Sequence, residues 1–241
     1  MSASTDQPAP PGAPDRHLWR PRGAVFLAVS VAALAVGAFA ELLLPPHRAS
    51  ALICPRALPV LLAAQAGFLL LLYPLLAARD PGGSLGPGRV LAAGAGEHAL
   101  WLAASVPLYV VAAWLSDATA CDVVRGVLYL AGVAAASWSL AAWAASGRAG
   151  ALTAVTLVGG AAAVAAPVAW YLLVELADAP PSAGWLPAAA PVTFAFSLAG
   201  RSARWLPAPL WAWLLWPAAA VVLALARLTA GGSRGRRPER P

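Results

Sequence analysis

Residues 57–78 read Ala57-Leu58-Pro59-Val60-Leu61-Leu62-Ala63-Ala64-Gln65-Ala66-Gly67-Phe68-Leu69-Leu70-Leu71-Leu72-Tyr73-Pro74-Leu75-Leu76-Ala77-Ala78, without a single charge. A helix rises 1.5 Å per residue, so this stretch reaches about 33 Å, and a bilayer's hydrocarbon core is about 30 Å thick. A surface helix of a soluble protein would show a polar face; here Gln65 and Tyr73 are the only side chains with strong hydrogen-bonding groups. The stretch therefore reads as a transmembrane helix. Working outward, five more apolar runs of similar length follow, at about 24–44, 99–115, 126–146, 151–174 and 208–226. The expected fold is all-α, a polytopic membrane protein with six spans. With these boundaries no span has an ionisable residue in its middle, so the usual parts of a proton relay or an ion-coupled site are missing.

Composition agrees. Of 241 residues, 61% are hydrophobic and 11% charged, against about 25% charged in a soluble domain. One membrane domain, 24–228, is expected between a polar, Pro-rich tail at 1–23 and a basic tail at 229–241. All basic residues are Arg, and the net charge of +6 gathers mainly at the two ends. Basic flanks beside spans follow the positive-inside rule and do not point to nucleic acid. With the N-terminus inside, the inner segments hold Arg16, Arg20, Arg22, Arg79, Arg89, Arg148, Arg227, Arg234, Arg236, Arg237 and Arg240; the outer ones hold Arg48, Arg56, Arg125, Arg201 and Arg204. The bias puts both termini in the cytoplasm of the cell (inner) membrane. Trp114, Trp211 and Trp213 then fall at outer span ends, as in an interfacial aromatic belt.

In this topology Cys54 and Cys121 both face outward, where a disulfide or two unpaired thiols are the alternatives. Ala38-Phe39-Ala40 has the small-x-small form of a signal-peptide site, but the apolar run before it is long and five spans follow. Gly147-Arg148-Ala149-Gly150 predicts a tight hairpin between spans 4 and 5, and Gly159, Gly160, Ala162 and Ala166 offer small surfaces for close helix approach. Pro74, Pro107, Pro167 and Pro217 lie within spans, where proline kinks a helix and frees a carbonyl.

No enzyme is expected. Ser105, Ser137 and Ser139 are embedded, yet the only histidines, His17, His47 and His98, fall in loops or at a span edge, so no Ser–His pair forms within the membrane. No His-Glu-x-x-His occurs for a metal, and no cofactor is expected. Trp211-Ala212-Trp213-Leu214-Leu215-Trp216 is Trp-rich but lacks the paired histidines of a heme-handling site.

Two connecting segments differ from ordinary loops. Between spans 2 and 3, Arg79-Asp80-Pro81-Gly82-Gly83-Ser84-Leu85 leads through Arg89-Val90-Leu91-Ala92-Ala93 and a Gly turn at Gly94 and Gly96 to Glu97. A short amphipathic piece on the inner surface is expected there. Between spans 5 and 6, 185–200 is apolar but broken, too short to span, and fits a re-entrant or interfacial piece. These segments carry a resemblance. The chain resembles the type-2, exporter-like permease subunits of ABC transporters, which have six spans, cytoplasmic ends, a coupling segment after span 2 and broken outer helices before the last span. Arg79-Asp80, Gly83-Ser84-Leu85, Val90-Leu91-Ala92-Ala93 and Glu97 stand where that family has its coupling motif, and Pro191-Val192-Thr193-Phe194-Ala195 resembles its segment before the last span. Pro81, Pro87 and the glycines depart from the pattern.

The resemblance implies a separate cytoplasmic ATPase that docks on Arg79, Asp80, Ser84, Leu85, Arg89, Val90, Leu91 and Glu97, and a second permease subunit as partner. The chain has no Gly-x-x-x-x-Gly-Lys-Ser/Thr and no Lys, so it holds no nucleotide site of its own. Gln65, Tyr73, Ser105, Tyr109, Thr153 and Thr156 are the candidates to line or gate a path. The competing role for each is an interhelical hydrogen bond worth about 0.6 kcal/mol. A non-transporting membrane scaffold or assembly factor is the alternative for the whole chain.

Overall fold

The computed structural model describes residues 16–43, 56–78, 87–144, 150–165, 168–169, 172, 190–192, 194 and 210–232. These residues are helical apart from short turns, with no strand among them. The elements are α1 (Arg16–Leu43), α2 (Ala57–Gly67), a π-helical turn (Phe68–Leu72), α3 (Tyr73–Ala78), α4 (Pro87–Ala104), α5 (Val106–Leu115), α6 (Ala120–Ala144), α7 (Ala151–Gly160) with a π-helical turn (Ala161–Ala165), and α8 (Leu210–Gly232). Four stretches are long and apolar enough to cross a membrane: Pro21–Ala40, Ala57–Ala78, Ala120–Ala144 and Trp213–Ala230. The bent pair Leu91–Ala104 and Val106–Leu115 makes a fifth if taken as one span. Large apolar side chains such as Phe39, Val110, Leu128, Leu157 and Val222 stand outward. Exposed apolar side chains of this kind, on helices of membrane-spanning length, are what lipid solvates and water does not.

Two boundaries differ from the sequence expectation for identifiable reasons. The helix expected from about 126 starts at Ala120, because Thr119 and Asp122 form a reciprocal cap. The Thr119 backbone N–H donates to Asp122 Oδ2 at 2.9 Å, and the Asp122 N–H to Thr119 Oγ1 at 3.3 Å, which satisfies N–H groups left over at a helix start. The helix expected from about 99 begins at Pro87, and no Gly turn interrupts it: Gly94 and Gly96 lie inside α4. A proline in the first helical turn loses no needed donor. What does interrupt it is Pro107, which has no N–H to donate to the carbonyl one turn earlier and whose ring crowds that carbonyl. The axis bends by 43° between α4 and α5, at Ser105.

Contacts fix the directions. α1 runs antiparallel to the 57–78 rod, from Arg22 beside Tyr73 at one end to Gly37 against Ala57 at the other. The α4–α5 pair is also antiparallel to the rod, from Glu97 at Tyr73 to Ser116 at Leu58. α6 runs parallel to the rod, with Gly126 against Leu62 and the Ser137 hydroxyl donating to the Leu69 carbonyl. That carbonyl lies in the π-helical turn just before Pro74, where the regular ladder is broken and a side-chain donor replaces the backbone one. α8 runs parallel to α6. Gly132 faces Pro217, Ser139 Oγ donates to the Ala220 carbonyl at 3.2 Å, Trp143 Nε1 to the Leu223 carbonyl at 3.0 Å, and Arg227 Nε to the Ala142 carbonyl at 3.0 Å. The start of α1 and the finish of α8 therefore lie at one end of the bundle, the basal end.

In the described part of the segment before α8, Ala190, Pro191 and Phe194 are buried and Val192 is half-buried. Ala190 and Phe194 are joined by a backbone hydrogen bond of 2.9 Å. The Phe194 ring lies between Tyr129 of α6 (centroids 4.5 Å) and Trp213 of α8 (5.8 Å). Val192 reaches Gly67, near the middle of the rod.

Candidate functional site

α1, the 57–78 rod and α4–α5 meet in layers set by helical spacing. Arg22, Phe26 and Ser30 lie four apart on α1; Tyr73, Leu69 and Gln65 on the rod; Glu97, Trp101, Ser105 and Tyr109 on α4–α5. Residues four apart share a helix face, so the stripes meet in successive layers, with Phe68 beside Leu69 supplying the rod's aromatic ring and α4–α5 giving both Ser105 and Tyr109 to the last layer.

The basal layer is charged. The Tyr73 hydroxyl donates to Glu97 Oε2 at 3.2 Å, and Arg22 Nη1 stands 3.6 Å from the same oxygen. The Arg22 guanidinium also lies 5.9 Å from the Tyr73 ring centroid, within cation–π range. His98, beside Glu97 on the chain, is 2% exposed. Its Nδ1 is 2.7 Å from the Gly94 carbonyl; a carbonyl only accepts, so Nδ1 carries the hydrogen and Nε2 of the neutral ring is an acceptor. The imidazole is walled by Tyr73, Trp101 and Trp138, with centroids 4.3, 5.1 and 5.5 Å away. Glu97 Oε1 and His98 Nε2 have no hydrogen-bond partner among the described residues.

The next layer is aromatic. Phe26 stacks on Trp101 at 5.2 Å and meets Phe68 edge-on at 5.4 Å, offset and edge arrangements that aromatic pairs favour. It separates the charged layer from a neutral polar one.

That third layer centres on Gln65. Its Oε1 accepts from the Tyr109 hydroxyl at 2.7 Å, and its Nε2 donates to Ser30 Oγ at 3.0 Å and Ser105 Oγ at 3.4 Å. The two serines pass their own hydrogens to carbonyls one turn back, Ser30 to Phe26 at 2.8 Å and Ser105 to Trp101 at 2.9 Å. All four side chains are buried. The network closes: each hydroxyl and both amide hydrogens are used. It can fix the register of three helices, and the bend at Ser105 is part of it.

The sequence candidates separate accordingly. Gln65, Ser105 and Tyr109 come together in the neutral layer, and Tyr73 and Glu97 in the charged one. Thr153 and Thr156 join neither; they are exposed on α7, and Thr156 Oγ1 donates to the Leu152 carbonyl. Arg79, Asp80, Ser84 and Leu85 lie outside the described residues. Arg89 and Val90 are in the first turns of α4, and Leu91 is half-buried there. Cys121 is an exposed free thiol on the first turn of α6, and Cys54 lies outside the described residues.

Arg22 and His98 did not emerge as site residues; Arg22 lies at the start of the apolar stretch Pro21–Ala40, and Glu97 and His98 lie near the start of the bent pair that begins at Leu91, not at its middle. The helices that hold Arg22, Glu97 and His98 begin earlier than hydropathy alone suggests, and these groups sit inside the packed basal end. The readable signal was the spacing of Glu97, Trp101, Ser105 and Tyr109 at every fourth position.

No protein-family model, curated protein or solved structure matches the chain.

Proposed function

We propose that the chain is the membrane-spanning permease subunit of an ABC-type transporter, driven by a separate cytoplasmic ATPase and paired with a second permease subunit. It would have six spans in the cell (inner) membrane, with both ends in the cytoplasm. The observation that carries this reading is the placement of Glu97. The segment 79–97 is the piece an ATPase would push, and its last residue is gripped by Tyr73 and Arg22. A displacement of that segment acts on α1, α3 and α4 together, because a buried ion pair resists separation. The parallel run of α6 and α8 supports the span count. Chain leaving α6 at the basal end must return to the far end before α8 starts, and residues 151–174 have the length for that crossing. The Arg count favours a cytoplasmic basal end.

One observation favours the alternative, a non-transporting scaffold or assembly factor. The Gln65 layer is closed on itself and tightly packed, as a purely structural core requires.

Affinity purification in mild detergent, with mass spectrometry of co-eluting chains, separates the two readings. The permease reading expects a P-loop ATPase that is lost when 79–97 is replaced by a Gly/Ser linker. A monodisperse protein that brings down no ATPase leaves the scaffold reading standing.

A further inference from the structure

Between α6, α7 and α8, at the basal half of the bundle, lies an open crevice of about 490 Å³. Its walls are Leu140 and Trp143 of α6, Gly150, Ala154 and Val158 at and beyond the start of α7, and Leu223 of α8. An apolar cavity of about 150 Å³ already stays dry and binds benzene. A crevice three times larger on the lipid-facing side of a bundle is a place for hydrocarbon, not water.

The basal mouth of the crevice is polar and positive. Arg227 follows Leu223 by one helical turn on the same face of α8. Its Nε donates to the Ala142 carbonyl, next to Trp143 of the crevice wall, and the two terminal nitrogens of the fork are not needed for that bond. No acidic side chain pairs with Arg227 among the described residues. The first turn of α7 opens at the same end. Gly150 precedes it with φ of 77° and supplies no side-chain cap, so first-turn N–H groups point out of the helix, where an anion is stabilised.

We propose that this crevice is a binding site for one anionic phospholipid, with an acyl chain between Trp143, Ala154 and Leu223 and the headgroup phosphate on Arg227. Apolar depth and a cation at the headgroup end are the two halves of such a ligand, on one face and in that order. A zwitterionic lipid can enter the crevice but lacks the net charge that Arg227 selects. The site stands whether or not the protein is a transporter.

The test uses the full chain reconstituted in nanodiscs of phosphatidylcholine with 25 mol% phosphatidylglycerol. Lipid that survives extraction into detergent is counted by native mass spectrometry, against a phosphatidylcholine-only control. The wild type should retain phosphatidylglycerol preferentially. Arg227→Gln should lower that preference about fivefold, the effect of roughly one surface cation on anionic lipid. Arg227→Lys should restore most of it, which loss of a packing contact would not. Ala154→Trp, at an exposed position that tolerates bulk, should reduce retention of both lipids by filling the crevice. Equal retention of the two lipids by the wild type overturns the proposal. So does a preference untouched by both Arg227→Gln and Ala154→Trp, which would place the lipid elsewhere. If Ala154→Trp instead releases a second copy of this chain or another protein, the crevice is an interface and the proposal fails.

Discussion

At the scale of single residues, the two polar layers make opposite predictions. The Gln65 layer is neutral and complete, so trimming it removes bonds without stranding charge. Tyr109→Phe should lower stability by about 0.6 kcal/mol, and by no more than roughly 1.7 kcal/mol, the span measured for hydrogen bonds between membrane helices. Gln65→Leu should cost more, because it also strands the Tyr109 hydroxyl. The double variant should show a coupling of roughly the Tyr109 term in a denaturant titration; strict additivity would mean the 2.7 Å contact carries no energy. The charged layer is asymmetric. Arg22→Met leaves Glu97 buried and unpaired, with a short side chain that cannot reach water, and should destabilise by roughly 3–5 kcal/mol. Glu97→Met should cost less, because Arg22 sits at the basal start of the apolar stretch Pro21–Ala40 and can extend its long stem to the interface. The double variant Arg22→Met with Glu97→Met should be more stable than Arg22→Met alone, and the reverse order would remove the ion pair from the account.

At the scale of elements, adjacent glycines on α7 differ in role. A Cβ on Gly159 would stand 2.6 Å from the Leu70 carbonyl oxygen, whereas one on Gly160 meets nothing within 4 Å. Gly159→Ala should therefore destabilise by about 1–3 kcal/mol through forced backbone separation, while Gly160→Ala should be neutral or slightly stabilising through helix propensity. Thermal unfolding in one detergent compares the pair directly, and equal losses would mean α7 does not pack on the rod at this point. The sequence named both glycines as small surfaces but could not say which faces inward, since that depends on the rotation of α7. Helix existence was legible because a long uncharged run has one physical outcome in a bilayer. Helix limits were less so. Thr119 and Asp122 are a cap that hydropathy does not register, and Pro87 starts a helix that the glycines after it seemed to interrupt. The same shift of boundary hid Arg22 and His98 from the candidate site, while Gln65, Ser105 and Tyr109 were visible as isolated polar groups in apolar runs.

At the scale of the whole molecule, α6 and α8 point the same way and α1 starts where α8 finishes. Single cysteines placed at position 16 and position 232 should thus behave alike toward a membrane-impermeant maleimide, while the native Cys121, exposed at the far end, should behave oppositely. With the proposed orientation, in intact cells Cys121 should label and the two introduced thiols should not until the membrane is opened. Labelling of the introduced pair on different sides would break the fold as described. The hydrogen bonds and the ion pair that join α1, the rod and α4–α5 use no residue beyond Ser116, and their partners are 24 to 75 positions apart. The α6–α8 seam joins groups 80 to 85 positions apart. In a chain threaded into the membrane from its N-terminus, the first half can lock while the second is still being made. Trp143 and Ser139 would then face lipid until the last helix arrives, and a chain shortened before residue 210 is expected to keep that flank open.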